Sequence, residues 1–160
     1  MDCDKQELLD SLKEAIDRIE NQDDVAGAKD LHKQLIAFHG ENIVMQAIGA
    51  EPANTTGYDL YRKEKYRRVQ VKAAYYSSKD NWIGAYNIHK SRGKFDYLAF
   101  VNMAENRRFS MIPHDELFKY LDKGNRNGNT RNRFSISRSL GRTNNIQPEA
   151  TQLFLEHEFV

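Results

Sequence analysis

Apolar and polar residues alternate along the chain in two regimes, helical at the front and strand-like behind. Over residues 6–20, Leu8, Leu9, Leu12, Ala15, Ile16 and Ile19 recur at helical spacing with Asp, Glu and Lys between them, which predicts an amphipathic helix. A second helical stretch covers 25–48 through Leu31, Leu35, Ile36, Ile43, Val44 and Ala47, and Gly40 is where it can break. The pattern then changes. Residues 51–57, Glu-Pro-Ala-Asn-Thr-Thr-Gly, read as a loop. Short runs of strand character follow at 58–61, 67–75 and 97–101. Between the last two, 77–94 is polar with Trp82, Ile83, Tyr86 and Ile88 interspersed, and fits a loop or an irregular strand. Residues 107–112 form a further candidate strand. Pro113 then opens a helix over 114–121, with Asp115 and Glu116 in the first turn, where carboxylates complement the helix dipole. Residues 125–130 read as a loop, and the tail from 131 carries no clear period. Helices, then a small sheet, then a helix predict an α/β or α+β domain.

At 160 residues the chain has room for one domain with a real core. Cys3 is the sole cysteine, so neither a disulfide framework nor a Cys-based zinc site is available, and a reducing, cytoplasmic setting is expected. The acidic start lacks the basic and apolar segments of a secretory signal. No apolar run approaches the roughly 20 residues that span a bilayer.

The 24 Lys+Arg and 23 Asp+Glu nearly cancel, but they are segregated. Residues 1–24 hold nine acids and three bases; 60–95 hold ten bases and two acids; 121–145 hold six bases and one acid. An acidic head is therefore joined to a basic body. The bases Arg62, Lys63, Arg67, Lys90, Arg92, Lys94, Arg126, Arg131, Arg133, Arg138 and Arg142 are candidates for a phosphate backbone, which cations bind by releasing condensed counterions. The plainer alternative is that they solvate a sheet and its loops.

The chemistry concentrates in Gly57-Tyr-Asp59-Leu, a charged turn, and Arg68-Val-Gln70-Val-Lys72. Side chains alternate along a strand, so Gln70 and Lys72 share one face while Val69 and Val71 point into the core. If Asp59 begins the neighbouring strand of a hairpin, its carboxylate lies beside that pair. Oxygen ligands next to a lysine are what phosphodiester hydrolysis needs, to hold a divalent cation and to steady the attacking water. His32 and His39, seven residues apart on a helix, cannot easily share a zinc ion and read as surface or groove residues. His114 reads as a capping or packing residue at its helix start. Tyr75, Tyr76, Trp82 and Tyr86 fit either core packing or base stacking.

These motifs resemble the PD-(D/E)xK nuclease superfamily over about residues 31–121. Asp59 matches its metal-binding Asp, and Gln70-Val-Lys72 its (D/E)xK element. The upstream His39-Gly40-Glu41 matches a helix whose Glu often joins the metal site. The strand at 95–101 and the Ser110-Met-Ile-Pro-His-Asp-Glu-Leu117 helix start look like those of small restriction-type and intron-encoded members. Tyr58 stands where Pro is usual, and Gln70 where Asp or Glu is usual.

The resemblance implies an α/β, restriction-endonuclease-like core with a mixed central sheet flanked by helices and an N-terminal helical extension. The acidic helix would span 1–24, the core 25–121, and a basic C-terminal extension packed on the same domain 122–160. It further implies a sequence-specific endonuclease on double-stranded DNA, acting as a homodimer. Mg²⁺, with Mn²⁺ as a substitute, would be held by Asp59, Glu41, Gln70 and the Val71 carbonyl, with Lys72 orienting or activating the water. The alternatives are a catalytically silent nucleic-acid-binding module of the same fold, with Gln70 marking a decayed site, or a DNA junction resolvase.

Overall fold

The computed structural model describes residues 2–20, 28–74, 82–86, 88–103, 107–123, 133–137 and 148–160. Two helices come first, α1 (Asp2–Glu20) and α2 (Ala28–Ile48). Strands β1 (Glu51–Pro52), β2 (Leu60–Tyr61), β3 (Arg68–Ala74) and β4 (Trp82–Tyr86) follow, then a 3-10 turn at Ile88–Ser91. The chain continues through β5 (Tyr97–Asn102), β6 (Arg108–Pro113), α3 (His114–Lys123), β7 (Arg133–Ser137) and α4 (Pro148–Glu156). A five-stranded sheet in the order β1-β2-β3-β5-β6 forms the centre, and β4 pairs with β7 in a separate ribbon. Only the β3–β5 pair in the large sheet is parallel, so the sheet is mixed.

Strand periodicity explains the layering. On β3, Val69 and Val71 turn to one face and join Ala99 and Val101 of β5, Phe109 and Met111 of β6, and Val44 and Ile48 of α2. Leu98 and Phe100 turn to the other face and meet Ile112 of β6, Leu117, Phe118 and Leu121 of α3, Phe134 and Ile136 of β7, and Phe154 of α4. With both its faces covered, β5 needs a continuous apolar run, and Leu98 to Val101 is fully buried. Phe100 anchors the second face by meeting the Phe134 and Phe154 rings edge-on at 5.0 and 6.1 Å.

Helix α2 runs through Gly40 without a break, contrary to the break expected there. Its glycine serves packing instead: a Cβ at Gly40 would lie 2.5 Å from the Ala73 Cβ. The missing side chain lets α2 lie close against β3, which brings the next residue, Glu41, to the sheet. Helix α1 packs on α2, burying Leu9 and Ile16 and leaving Glu7, Asp10, Glu14 and Asp17 exposed.

Other expectations shift in detail. The stretch read as a loop at 51–57 contributes β1 to the sheet edge. The 77–94 stretch yields β4 and the 3-10 turn, and the unassigned tail yields β7 and α4. The irregular strand allowed for 77–94 is β4, and β7 carries no local signal because, among the described residues, its strand partner is β4, about fifty residues away in sequence. The residues after α4 run along the outer edge of β6, where Met111 N–H donates to His157 O and Phe159 N–H to Phe109 O, both at 2.9 Å. Phe159 stacks on Phe109, and Glu158 grips Arg108 at 2.7 Å, so this edge is covered. The segments around Tyr75, Tyr76 and 125–130 lie outside the described residues.

His39 is the clear departure from the surface role expected of it. It is fully buried, and neither ring nitrogen has a hydrogen-bond partner among the described residues. Burial, with the positive charges of Arg107 and Lys13 outweighing the nearby Asp10, pushes its pKa down to about 4, so the ring is neutral at neutral pH. A buried polar ring without partners costs roughly 1–3 kcal/mol. His39→Leu is therefore expected to raise the denaturant midpoint, by about 1 kcal/mol in unfolding free energy at an unchanged slope. Urea titration checks this, and a lower midpoint would contradict it.

Candidate active site

Strand β2 begins at Leu60, and its ladder with β3 covers only Val69 and Arg68. Beyond that point β3 lacks a strand neighbour on this side, and Asp59 takes over. Its own N–H donates to Val69 O at 2.9 Å, and its carboxylate Oδ2 accepts the Val71 N–H at 2.8 Å. The side chain thus stands where a longer β2 would have placed a carbonyl. The same Oδ2 accepts a hydrogen bond from Gln70 Nε2 at 2.8 Å. Asp59, Gln70 and the Val71 backbone are therefore locked into one group.

Electrostatics bring in two more residues. Burial pushes the Asp59 carboxyl above its ordinary range, opposed by the Val71 N–H and the Lys72 charge. Glu41 on α2 is pushed up as well, first by burial and then by the negative charge of Asp59, with Lys72 pulling the other way. The two carboxylates therefore resist ionising together. Lys72, half-buried on the Gln70 face of β3, is the cation that both sense.

Gln70 fits this balance. It is 8% exposed, and a carboxylate in its place would put a third negative charge within hydrogen-bond distance of Asp59. The neutral amide donates instead. Among the described residues no group of three His, Cys, Asp or Glu side chains gathers as a metal cluster. The candidate ligand atoms are oxygens: the two carboxylates, the Val71 carbonyl and the amide oxygen of Gln70, whose Nε2 here faces Asp59. That set suits a hard divalent cation such as Mg²⁺, which accepts one or two carboxylates and keeps several waters.

The basic candidates differ in their surroundings. Arg62, Lys63 and Arg67 lie in the turn between β2 and β3, closed by Arg62 N–H on Arg67 O at 2.9 Å. Lys63, Lys90 and Lys94 are exposed and make no ion pair among the described residues. Arg92 has a different occupation: its guanidinium holds Asp122 through two bonds of 3.0 and 2.8 Å and lies 4.7 Å over the Phe118 ring. Arg133 sits on β7, while Arg126, Arg131, Arg138 and Arg142 lie outside the described residues. His114 has the packing role expected, with its Nε2 accepting the Gly93 N–H at 2.9 Å and its ring against Phe95 and Phe118.

One pairing near the site escaped the sequence. Arg68, at the start of β3, clasps Asp96 through Nε and Nη2 at 3.1 and 2.7 Å, while its N–H donates to the same carboxylate. These bonds hold the Asp96 carboxyl below the usual range and tie the start of β3 to the start of β5. The acid lies 28 residues away, beyond the reach of local spacing.

No protein-family model and no curated protein matches the chain. Among solved structures, the fold is similar to that of a bacterial homing endonuclease, I-Ssp6803I, with a TM-score of 0.50 and 18% sequence identity. The alignment covers 74% of this chain and 84% of that one. What the two share is the α/β fold. No helix among the described residues is long and apolar enough to cross a membrane.

The raised carboxyl of Glu41 has a consequence for stability. A carboxyl whose pKa rises on folding favours the fold at low pH, and that contribution is lost as pH rises through the folded pKa. At pH 8 without metal, ionised Glu41 therefore weakens the fold. Glu41→Gln is expected to melt a few degrees above the wild type at pH 8, with the difference shrinking toward pH 4.5 and below. Differential scanning calorimetry across pH checks this, and a lower melting point for Glu41→Gln at pH 8 would contradict it.

Proposed function

We propose that this protein is a metal-dependent DNA endonuclease of the PD-(D/E)xK, restriction-endonuclease-like type. The observation that carries the reading is the Asp59 group: a partly buried carboxylate fixed by Val71 N–H and Gln70, sharing its field with Glu41 and Lys72 where β3 runs past the end of β2. The fold likeness to a bacterial homing endonuclease supports the endonuclease part of this reading.

Asp59, Glu41, the Gln70 amide oxygen and the Val71 carbonyl would hold Mg²⁺, and Mn²⁺ would substitute. The ion would supply Lewis-acid polarisation of the scissile phosphate and a lowered pKa for a bound water. The remaining work falls to the chain. Asp59 and Glu41 must both be ionised, so activity falls as pH drops through their raised pKa values. To offer its oxygen to the ion, Gln70 would exchange its Nε2 bond to Asp59 for a turned amide. Lys72 orients the attacking water with its ammonium and offsets charge building on the phosphate. Cutting both strands with one such site per chain calls for a homodimer on a roughly symmetric target.

A second reading rests on Gln70 itself. With an amide in place of an acid, the site carries less charge for a metal, which favours a silent DNA-binding module. Lys72→Ala separates the two, measured as plasmid cleavage and as DNA affinity in Ca²⁺. The nuclease reading predicts discrete fragments from the wild type with Mg²⁺ or Mn²⁺, cleavage lost by at least about a hundredfold in the variant, and affinity held within a few fold. Intact but retarded DNA under every metal supports the module, and equal cleavage by the variant overturns the assigned role of Lys72.

A further inference from the structure

Beside the Asp59 loop lies a turn, residues 92–96, in which every side chain but one is anchored. Arg92 is fixed to Asp122 and lies over Phe118. Gly93 N–H donates to His114, Lys94 N–H to Ser91 O at 3.0 Å, and Asp96 is clasped by Arg68. Phe95 is buried in the core between them. The exception is the Lys94 side chain, which is exposed and forms no ion pair among the described residues.

The Lys94 stem is nevertheless placed. A Cβ built on Gly57 would lie 2.5 Å from Lys94 Cβ, 3.1 Å from its Cγ and 2.6 Å from its Cδ, so the methylenes run across the face of Gly57. Gly57 has a φ of +102°, which side chains rarely adopt, and stands two residues before Asp59. A residue with a side chain at 57 would displace the lysine. The fold thus carries a desolvated stem over the loop that sets Asp59, with the charged end left in water, the usual arrangement for a long cationic side chain on a surface.

We propose that Lys94 binds a backbone phosphate of DNA flanking the scissile one, and so positions the strand over Asp59 and Lys72. The proposal rests on the nuclease reading and adds to it a substrate contact that the (D/E)xK pattern does not contain. Lys72 serves the reacting phosphate; Lys94 serves its neighbour. A phosphate contact is independent of base sequence, so a random-sequence duplex is an adequate probe.

The test uses Lys94→Met, which keeps the stem over Gly57 and deletes only the charge, with Lys94→Arg as the conservative variant. Affinity for the duplex is measured by fluorescence anisotropy in Ca²⁺ over a series of salt concentrations. The Met variant is expected to bind about tenfold more weakly at low salt, and its plot of log K against log salt to be shallower by about 0.9. Arg is expected to restore both, and the melting temperature to stay at the wild-type value. Wild-type affinity and slope in the Met variant would overturn the role of Lys94 and leave the nuclease reading standing. Weaker binding with an unchanged slope and no rescue by Arg would reduce Lys94 to a structural cover for Gly57, which also overturns it. If the wild type itself fails to bind the duplex at any salt, the nuclease reading falls and this proposal with it.

Discussion

One hydrogen bond constrains the rest of the site: the Val71 main-chain N–H donating to the Asp59 carboxylate at 2.8 Å. It exists because β2 is two residues long and leaves β3 with an amide to satisfy. A neutral side chain at 59 would accept that bond less well, and an apolar one would leave the amide without it. Structure and chemistry therefore ask for the same group at this position. The need to finish the ladder fixes a carboxylate beside β3, at the position where the proposed nuclease needs one.

Charge limits what can surround it. Burial raises the cost of ionising both Asp59 and Glu41, the charge of Asp59 adds to it at Glu41, and Lys72 compensates only in part. In that setting Gln70 is intelligible as an amide that donates to Asp59 where an acid would repel it. Under the proposed function, a bound divalent ion would favour the ionised form of both carboxylates. Such tension between stability and function is common at sites that bind charged partners.

Local pattern made part of this legible. The apolar stripe of α1, the Val69 and Val71 alternation on β3 and the continuous run on β5 each follow from a period that sequence displays directly. Asp59, Gln70 and Lys72 could be picked out because a hairpin brings together residues only a dozen apart. Gly40 misled, since a glycine inside a helix signals either a break or a close approach, and only the presence of Ala73 beneath it decides. His39 misled because burial by a separate helix is a tertiary property. The Arg68 clasp on Asp96, the Arg92 clasp on Asp122 and the β4–β7 ribbon all join residues about 28 or more apart, where no local period survives. Net charge by segment found the cations, but it could not tell Arg92, already held by an acid, from Lys94, which is not.

The central claim is that a carboxylate at 59 serves catalysis as well as the ladder, and Asp59→Asn tests it most directly. Asparagine keeps an oxygen for the Val71 N–H but lacks the charge. Cleavage of supercoiled plasmid is followed with Mg²⁺ and with Ca²⁺, beside a melting curve for each protein. The account predicts cut DNA from the wild type with Mg²⁺ and none with Ca²⁺, and no cutting by a variant that still melts cooperatively. Equal cutting by Asp59→Asn, or a plasmid left intact by the wild type in Mg²⁺ and Mn²⁺ alike, would contradict it.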